Sequence, residues 1–93
     1  MSQDVTDNSA LSRFELAQPG GVTFADYERR AGRLLITNVE TPPALRGHGA
    51  AGKLMEGIVD LLTAQAQDVK VTPICSYAVA WFDRHPQHKD LLA

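Results

Sequence analysis

The sequence predicts a mixed α/β fold of order β-β-β-α-β-α: a three-stranded antiparallel meander, a helix, a further strand parallel to a neighbour, and a C-terminal helix. Three observations predict it. Before residue 41, apolar residues alternate with polar ones in runs separated by turn chemistry. After Pro42-Pro43 the apolar period becomes helical. A short apolar segment at 69–74 then precedes a second helical period, which Pro86 stops.

The first strand carries Phe14 and Leu16 between polar neighbours, and Gln18-Pro19-Gly20-Gly21 supplies its turn. Val22, Phe24 and Tyr27 lie in a second extended run that ends at Ala31-Gly32. Arg33 to Glu40 is rich enough in β-branched residues to be a central strand. Thr41-Pro42-Pro43 ends it, because proline cannot donate to a ladder and restricts the residue before it. In the helix after the prolines, Ala51, Leu54, Ile58, Leu61 and Gln65 recur at spacings of three and four, with Met55, Val59 and Leu62 widening the stripe. Strand, helix and strand in that order imply a right-handed crossover, which lays Val69 to Ile74 parallel to a neighbour. Ser76 to Arg84 pairs Tyr77 with Trp81 and Val79 with Phe82 on one helix.

A chain of 93 residues, 44% hydrophobic, holds one core and not two, so residues 11–93 read as a single domain behind a polar, flexible N-terminus at 1–10. The formal charge of −2 is spread along the chain and offers no basic face for a nucleic-acid backbone. No apolar run approaches the ~20 residues that span a bilayer, and the start Met1-Ser2-Gln3-Asp4 has no signal-peptide character. The expectation is a cytoplasmic protein without nucleic-acid or membrane partners. A single cysteine, Cys75, excludes an internal disulfide and a multi-cysteine zinc site. His85 and His88 are separated by Pro86 and have no third ligand nearby, so no metal site is expected.

The glycine cluster Gly47, Gly49 and Gly52 carries the chemistry. Gly47-x-Gly49-x-x-Gly52 matches a dinucleotide fingerprint, yet three strands precede it and no carboxylate ends the strand after the helix. Gly47-x-x-x-x-Gly52-Lys53 approaches a nucleoside-triphosphate loop, but Leu54 stands where a hydroxyl must hold Mg²⁺. The pattern Arg46-x-x-Gly49-x-Ala51, after a meander and before an amphipathic helix, fits its context. Small residues let a ligand approach the backbone, and the unpaired N–H groups of a helix's first turn hold an anion. The alternative is that the glycines merely permit a tight strand-to-helix turn.

With Glu40-Thr41-Pro42-Pro43-Ala44-Leu45-Arg46-Gly47-His48-Gly49 and Cys75-Ser76-Tyr77, the chain from about Arg13 to Leu92 resembles the GNAT acetyltransferases, in particular their shortest single-domain branch. It departs at Asn38, where that branch often has histidine. The resemblance implies a minimal GNAT-like fold that binds acetyl-CoA and moves its acetyl group to an amine. The pyrophosphate of coenzyme A is then expected on the backbone at Arg46, Gly47, His48, Gly49, Ala50 and Ala51, with the His48 side chain in solvent. It further implies that Arg84, His85 and Pro86 line the adenine or pantetheine side, and that a backbone N–H near Val39 or Thr41 meets the oxyanion.

Glu40 matches the branch's glutamate and is a candidate to take the ammonium proton, the alternative being a solvated carboxylate at a strand end. Cys75, at the start of the second helix, is a candidate nucleophile or a buried thiol. Tyr77 is a candidate proton donor to the coenzyme thiolate, or a ring packed on Trp81. With only Gln18 to Gly21 between the first two strands, the acceptor site is expected to be open, suiting a peptide or protein lysine, or a site completed by a second chain, better than a small enclosed metabolite. A coenzyme A-binding module without efficient chemistry is the rival.

Overall fold

The computed structural model describes residues 4–64 and 69–92. Its elements are β1 (Thr6–Asn8), β2 (Arg13–Gln18), β3 (Gly21–Arg30), β4 (Arg33–Glu40), α1 (Ala50–Ala64), β5 (Lys70–Pro73) and α2 (Ser76–Arg84), with 3-10 turns at Pro43–Leu45 and Pro86–Leu91. The sheet order is β1-β2-β3-β4-β5, antiparallel up to β4 and parallel between β4 and β5. The meander, the crossover helix, the parallel strand and the C-terminal helix are those expected.

One strand is additional. β1 lies within the stretch read as a flexible N-terminus, and its polar Thr6-Asp7-Asn8 carries no alternation that would reveal it. Partners elsewhere hold it. Val5 is 4% exposed in the core, Asp7 accepts from the Tyr27 hydroxyl at 2.5 Å and from Arg29 at 3.3 Å, and the Asn8 side-chain amide donates to Glu15 at 3.2 Å.

Among the described residues the sheet has one covered face. Phe14, Leu16, Ala25, Tyr27, Leu34, Ile36 and Val71 are buried together, with α1 packed over β2 and β3 and α2 over β4 and β5. Helix α1 contributes Leu54, Met55, Ile58, Val59 and Leu62 to that core, at roughly 1.5–3 kcal/mol for each buried side chain. Its stripe starts on Ala50 rather than Ala51, Leu61 is only partly buried, and Gln65 lies outside the described residues. On the other face, Val22 is 39% exposed and the Arg13 guanidinium lies 4.3 Å from the centre of the Phe24 ring.

β4 carries an irregularity that decides which of its side chains face the core. Tyr27 pairs with Ile36 and Asp26 with Asn38, so Thr37 is an extra residue on β4, a β-bulge whose hydroxyl donates to the Asp26 carbonyl at 3.3 Å. Strict alternation from Leu34 and Ile36 would send Asn38 and Glu40 into the apolar core at a cost of several kcal/mol. The bulge resets the phase: Val39 packs on the core, while Asn38 and Glu40 are exposed.

Candidate functional site

β4 and β5 pair only from Arg33 to Ile36. There the Ile36 carbonyl accepts from the N–H groups of Ile74 at 2.9 Å and Cys75 at 3.2 Å, and the chain turns into α2. β4 continues through Glu40 with no partner on that side among the described residues, which opens a gap between the two strands. Since the Ile36 carbonyl faces β5 and the bulge shifts the phase by one residue, the Val39 N–H faces this gap.

Beyond Glu40 the chain makes a compact turn. Leu45 N–H donates to the Pro42 carbonyl at 2.9 Å, Arg46 N–H to Pro43 at 3.3 Å and His48 N–H to Leu45 at 3.3 Å. Gly47 (φ +81°) and Gly49 (φ +76°) are in the left-handed region, which favours glycine, and nothing stands within 4 Å of a Cβ built on either. The Arg46 side chain folds back to donate to the Thr41 carbonyl at 3.3 Å, tying the turn to the end of the strand. The β2–β3 hairpin supports it from below: a Cβ on Gly21 would stand 2.8 Å from Pro42 Cγ, and one on Gly20 3.1 Å from Leu45 Cδ2.

Helix α1 leaves this turn with its first amides free. Its first helical bond runs from Lys53 N–H to the Gly49 carbonyl at 3.1 Å, so the N–H groups of Ala50, Ala51 and Gly52 precede it and have no partner in the helix. No acidic residue occupies the first turn, leaving the positive end of the helix dipole uncompensated. These amides open into a cleft of about 440 Å³ lined by Val39, Glu40, Thr41, Leu45, Arg46, Gly47, Gly49, Ala50, Ala51, Gly52 and Tyr77. Strand end, glycine turn and second helix, distant in sequence, meet around one cavity.

The family of GCN5-related N-acetyl-transferases matches the chain over residues 13–91. The chain belongs to that family. The matched span begins at the first residue of β2 and runs through both helices, so β1 precedes it. No curated protein matches the chain. Among the described residues no helix is long and apolar enough to cross a membrane, and no group of three or more His, Cys, Asp or Glu is placed to hold a metal ion.

In this member of the family the residues singled out in the sequence fall into three places. Val39, Glu40, Thr41, Arg46, Gly47, Gly49, Ala50, Ala51 and Tyr77 line the cleft at the start of α1. Arg84 and His85 line an adjoining cleft of about 510 Å³, which shares Gly52 and Tyr77 with the first. His48, Cys75 and Pro86 line neither. In the first cleft two lining residues were not assigned from the sequence: Leu45, whose sequence context carries no signal, and Gly52, which entered only through the dinucleotide-like and nucleoside-triphosphate-like patterns; in the adjoining cleft Lys53, Glu56 and Trp81 were not assigned either.

Tyr77 joins the two clefts, its hydroxyl 4.0 Å from a Cβ built on Gly52. Burial raises its pKa above tyrosine's ordinary 10.0, against the opposing pull of the Arg84 guanidinium, so the phenol keeps its proton at neutral pH. Glu40 is exposed and takes part in no ion pair among the described residues.

Cys75 is the N-cap of α2, its Sγ accepting from Ala78 N–H at 3.4 Å. Cys75→Ala is therefore expected to cost about 0.5–1 kcal/mol, the size of a modest cap, and Cys75→Ser to retain most of it. Both variants are expected to bind coenzyme as tightly as the parent. Thermal unfolding and calorimetric titration check the two halves; a loss of coenzyme affinity in both would return the thiol to the site.

Proposed function

We propose that this protein binds acetyl-CoA and transfers its acetyl group directly to an amine acceptor, with the pyrophosphate on the backbone amides from Gly47 through His48, Gly49 and Ala50 to Ala51. The observation that carries this reading is the meeting of free first-turn amides, left-handed glycines and the unpaired end of β4 in one cleft. The fit of the cradle rests on open space: a Cβ at Gly47 or Gly49 would meet no protein atom within 4 Å.

The bound thioester supplies an activated acyl group, and the protein's residues handle charge and protons around it. The amine's lone pair attacks the carbonyl carbon, forming C–N as the C–S bond breaks. The Val39 N–H, or one near Thr41, stabilises the charge that develops on the carbonyl oxygen. Glu40 takes the proton that the amine sheds, directly or through a water. The Tyr77 hydroxyl, which carries its proton at neutral pH, donates to the departing thiolate. The capping position of Cys75, away from the cleft lining, favours direct transfer over a covalent acyl-enzyme.

The acceptor reading rests on shape. The cleft is open, and the sheet face beside Glu40 is without a helix among the described residues. Such a site suits a peptide or protein lysine better than an enclosed metabolite.

Calorimetric titration with acetyl-CoA, against NAD and ATP, tests binding, and thiol release from acetyl-CoA in the presence of polyamines, lysine peptides or protein tests transfer. Saturable binding of acetyl-CoA alone, with amine-dependent thiol release, is the expected result. Binding of neither, or preference for a nucleotide, would overturn the cradle. Coenzyme binding without thiol release for any amine would leave a binding module and remove the catalytic half.

A further inference from the structure

The helix-free face of the sheet is not uniform. Its antiparallel part turns mainly charged side chains outward, among them Arg13, Glu15, Asp26, Glu28 and Arg30. The parallel pair differs. Past the cations Arg33 and Lys70 at the end away from the gap, it turns Leu35, Thr72 and Ile74 to this face, because Leu34, Ile36 and Val71 are fully buried on the other. Neither Leu35 nor Ile74 is among the side chains packed on the core, and Ile74 is 53% exposed. Parallel strands are characteristically covered on both faces, yet no helix among the described residues covers this one.

Ile74 stands at the closed end of the gap between β4 and β5. Its N–H and that of Cys75 share the Ile36 carbonyl, at 2.9 and 3.2 Å, where the two strands part. The proposed cradle lies at the open end, beyond Glu40. A thioester held from that cradle enters the gap with its acyl group foremost, its carbonyl at the Val39 N–H and its acyl chain directed toward Ile74. Val39 follows Ile36 with the bulge between them, so the two levels are about 7–10 Å apart at a rise of ~3.3 Å per residue. An acetyl methyl stops short of Ile74, whereas a chain of about four to six carbons, at ~1.5 Å per C–C bond, reaches its side chain.

Resting on the acetyl-CoA reading, we propose that the protein also uses acyl-CoA thioesters of about four to six acyl carbons, and that Ile74 with Leu35 is the surface on which the extra carbons lie. The bond chemistry is that of acetyl transfer: the amine nitrogen forms C–N with the acyl carbon, C–S breaks, the amine's proton leaves to Glu40 and the thiolate takes one from Tyr77. Acceptor and acyl chain do not compete, since Glu40 and Ile74 stand at opposite ends of the gap. Each methylene moved from water onto the Leu35–Ile74 strip contributes up to about fourfold in affinity.

The test is calorimetric titration of the whole protein, without acceptor, with acetyl-CoA, butyryl-CoA and hexanoyl-CoA, repeated on Ile74→Ser and on Leu11→Ser. Leu11 is the matched control: it is 58% exposed and lies in the β1–β2 turn, at the other edge of the sheet. The parent should bind hexanoyl-CoA at least tenfold more tightly than acetyl-CoA, with butyryl-CoA between them. Ile74→Ser should lose most of that gain and keep its acetyl-CoA affinity within about twofold, and Leu11→Ser should behave as the parent. Amine-dependent thiol release should follow the same order in KM. Equal affinity for the three thioesters, or a gain that Ile74→Ser retains or Leu11→Ser also loses, would overturn the assignment while leaving the cradle standing. A dimer of the parent in sedimentation that Ile74→Ser dissolves would give the strip to a second copy of the chain and overturn it too. Binding of none of the thioesters by the parent would overturn the acetyl-CoA reading itself.

Discussion

A valine at Gly49 is expected to abolish measurable binding of acetyl-CoA, whereas a valine at Gly32 should leave it intact. The two glycines form a matched pair. Their φ angles are +76° and +82°, and a Cβ at either meets nothing within 4 Å. Each substitution forces a β-branched residue into the left-handed region, which costs roughly 1–2 kcal/mol, or a fall in midpoint of about 5–15 °C in a domain of this size. That loss should be similar in the two variants. They differ in location: Gly32 lies in the β3–β4 turn, at the opposite end of β4 from Glu40, whereas Gly49 lines the cleft. A branched side chain at Gly49 enters space that the cradle keeps clear, so the affinity should fall at least a hundredfold, about 2.7 kcal/mol. Thermal unfolding and calorimetric titration of both variants separate strain from occlusion. Equal affinity in the two would reduce Gly49 to a turn residue.

Much of this arrangement can be read from the sequence because periodicity and turn chemistry are local signals. Pro42-Pro43 and the switch to a helical period place the start of α1 within a residue of Ala50, and Ser76–Arg84 emerges with the bounds expected for it. The residues that escaped are those whose positions depend on distant partners. β1 has no pattern of its own; Tyr27, Arg29 and Glu15 hold it from other strands. The bulge at Thr37 is likewise invisible to alternation, because it is decided by the cost of burying Asn38 and Glu40 against the gain of burying Val39. The cleft itself was only partly legible. A motif supplies the glycines, but that Lys53 and Arg84 share a wall is a consequence of α1 and α2 lying side by side on one face of the sheet.

The second large effect is expected at Glu40. Glu40→Gln keeps the shape and the hydrogen-bonding capacity of the side chain and removes only its ability to take a proton. General-base assistance contributes typically 10²–10⁴-fold, and kcat/KM for acetyl transfer should fall about a hundredfold or more. The loss should be largest at mildly acidic pH, where the acceptor amine is most fully protonated and its deprotonation is hardest. Stability should not change, because Glu40 is exposed and makes no ion pair among the described residues; acetyl-CoA affinity should change by less than about threefold, since the cradle is made of backbone. The control is Glu28→Gln. Glu28 lies on the same helix-free face but is paired with Arg30 at 2.7 Å and is remote from the cleft lining. It should turn over like the parent. The bulge gives the comparison its meaning: it turns Glu40 away from the core and the Val39 N–H into the gap between β4 and β5, so that the proposed proton acceptor and the proposed oxyanion donor are adjacent residues of one strand. A Glu40→Gln variant with the parent's rate and pH profile would dismiss Glu40 as the base and leave the amine to lose its proton to solvent.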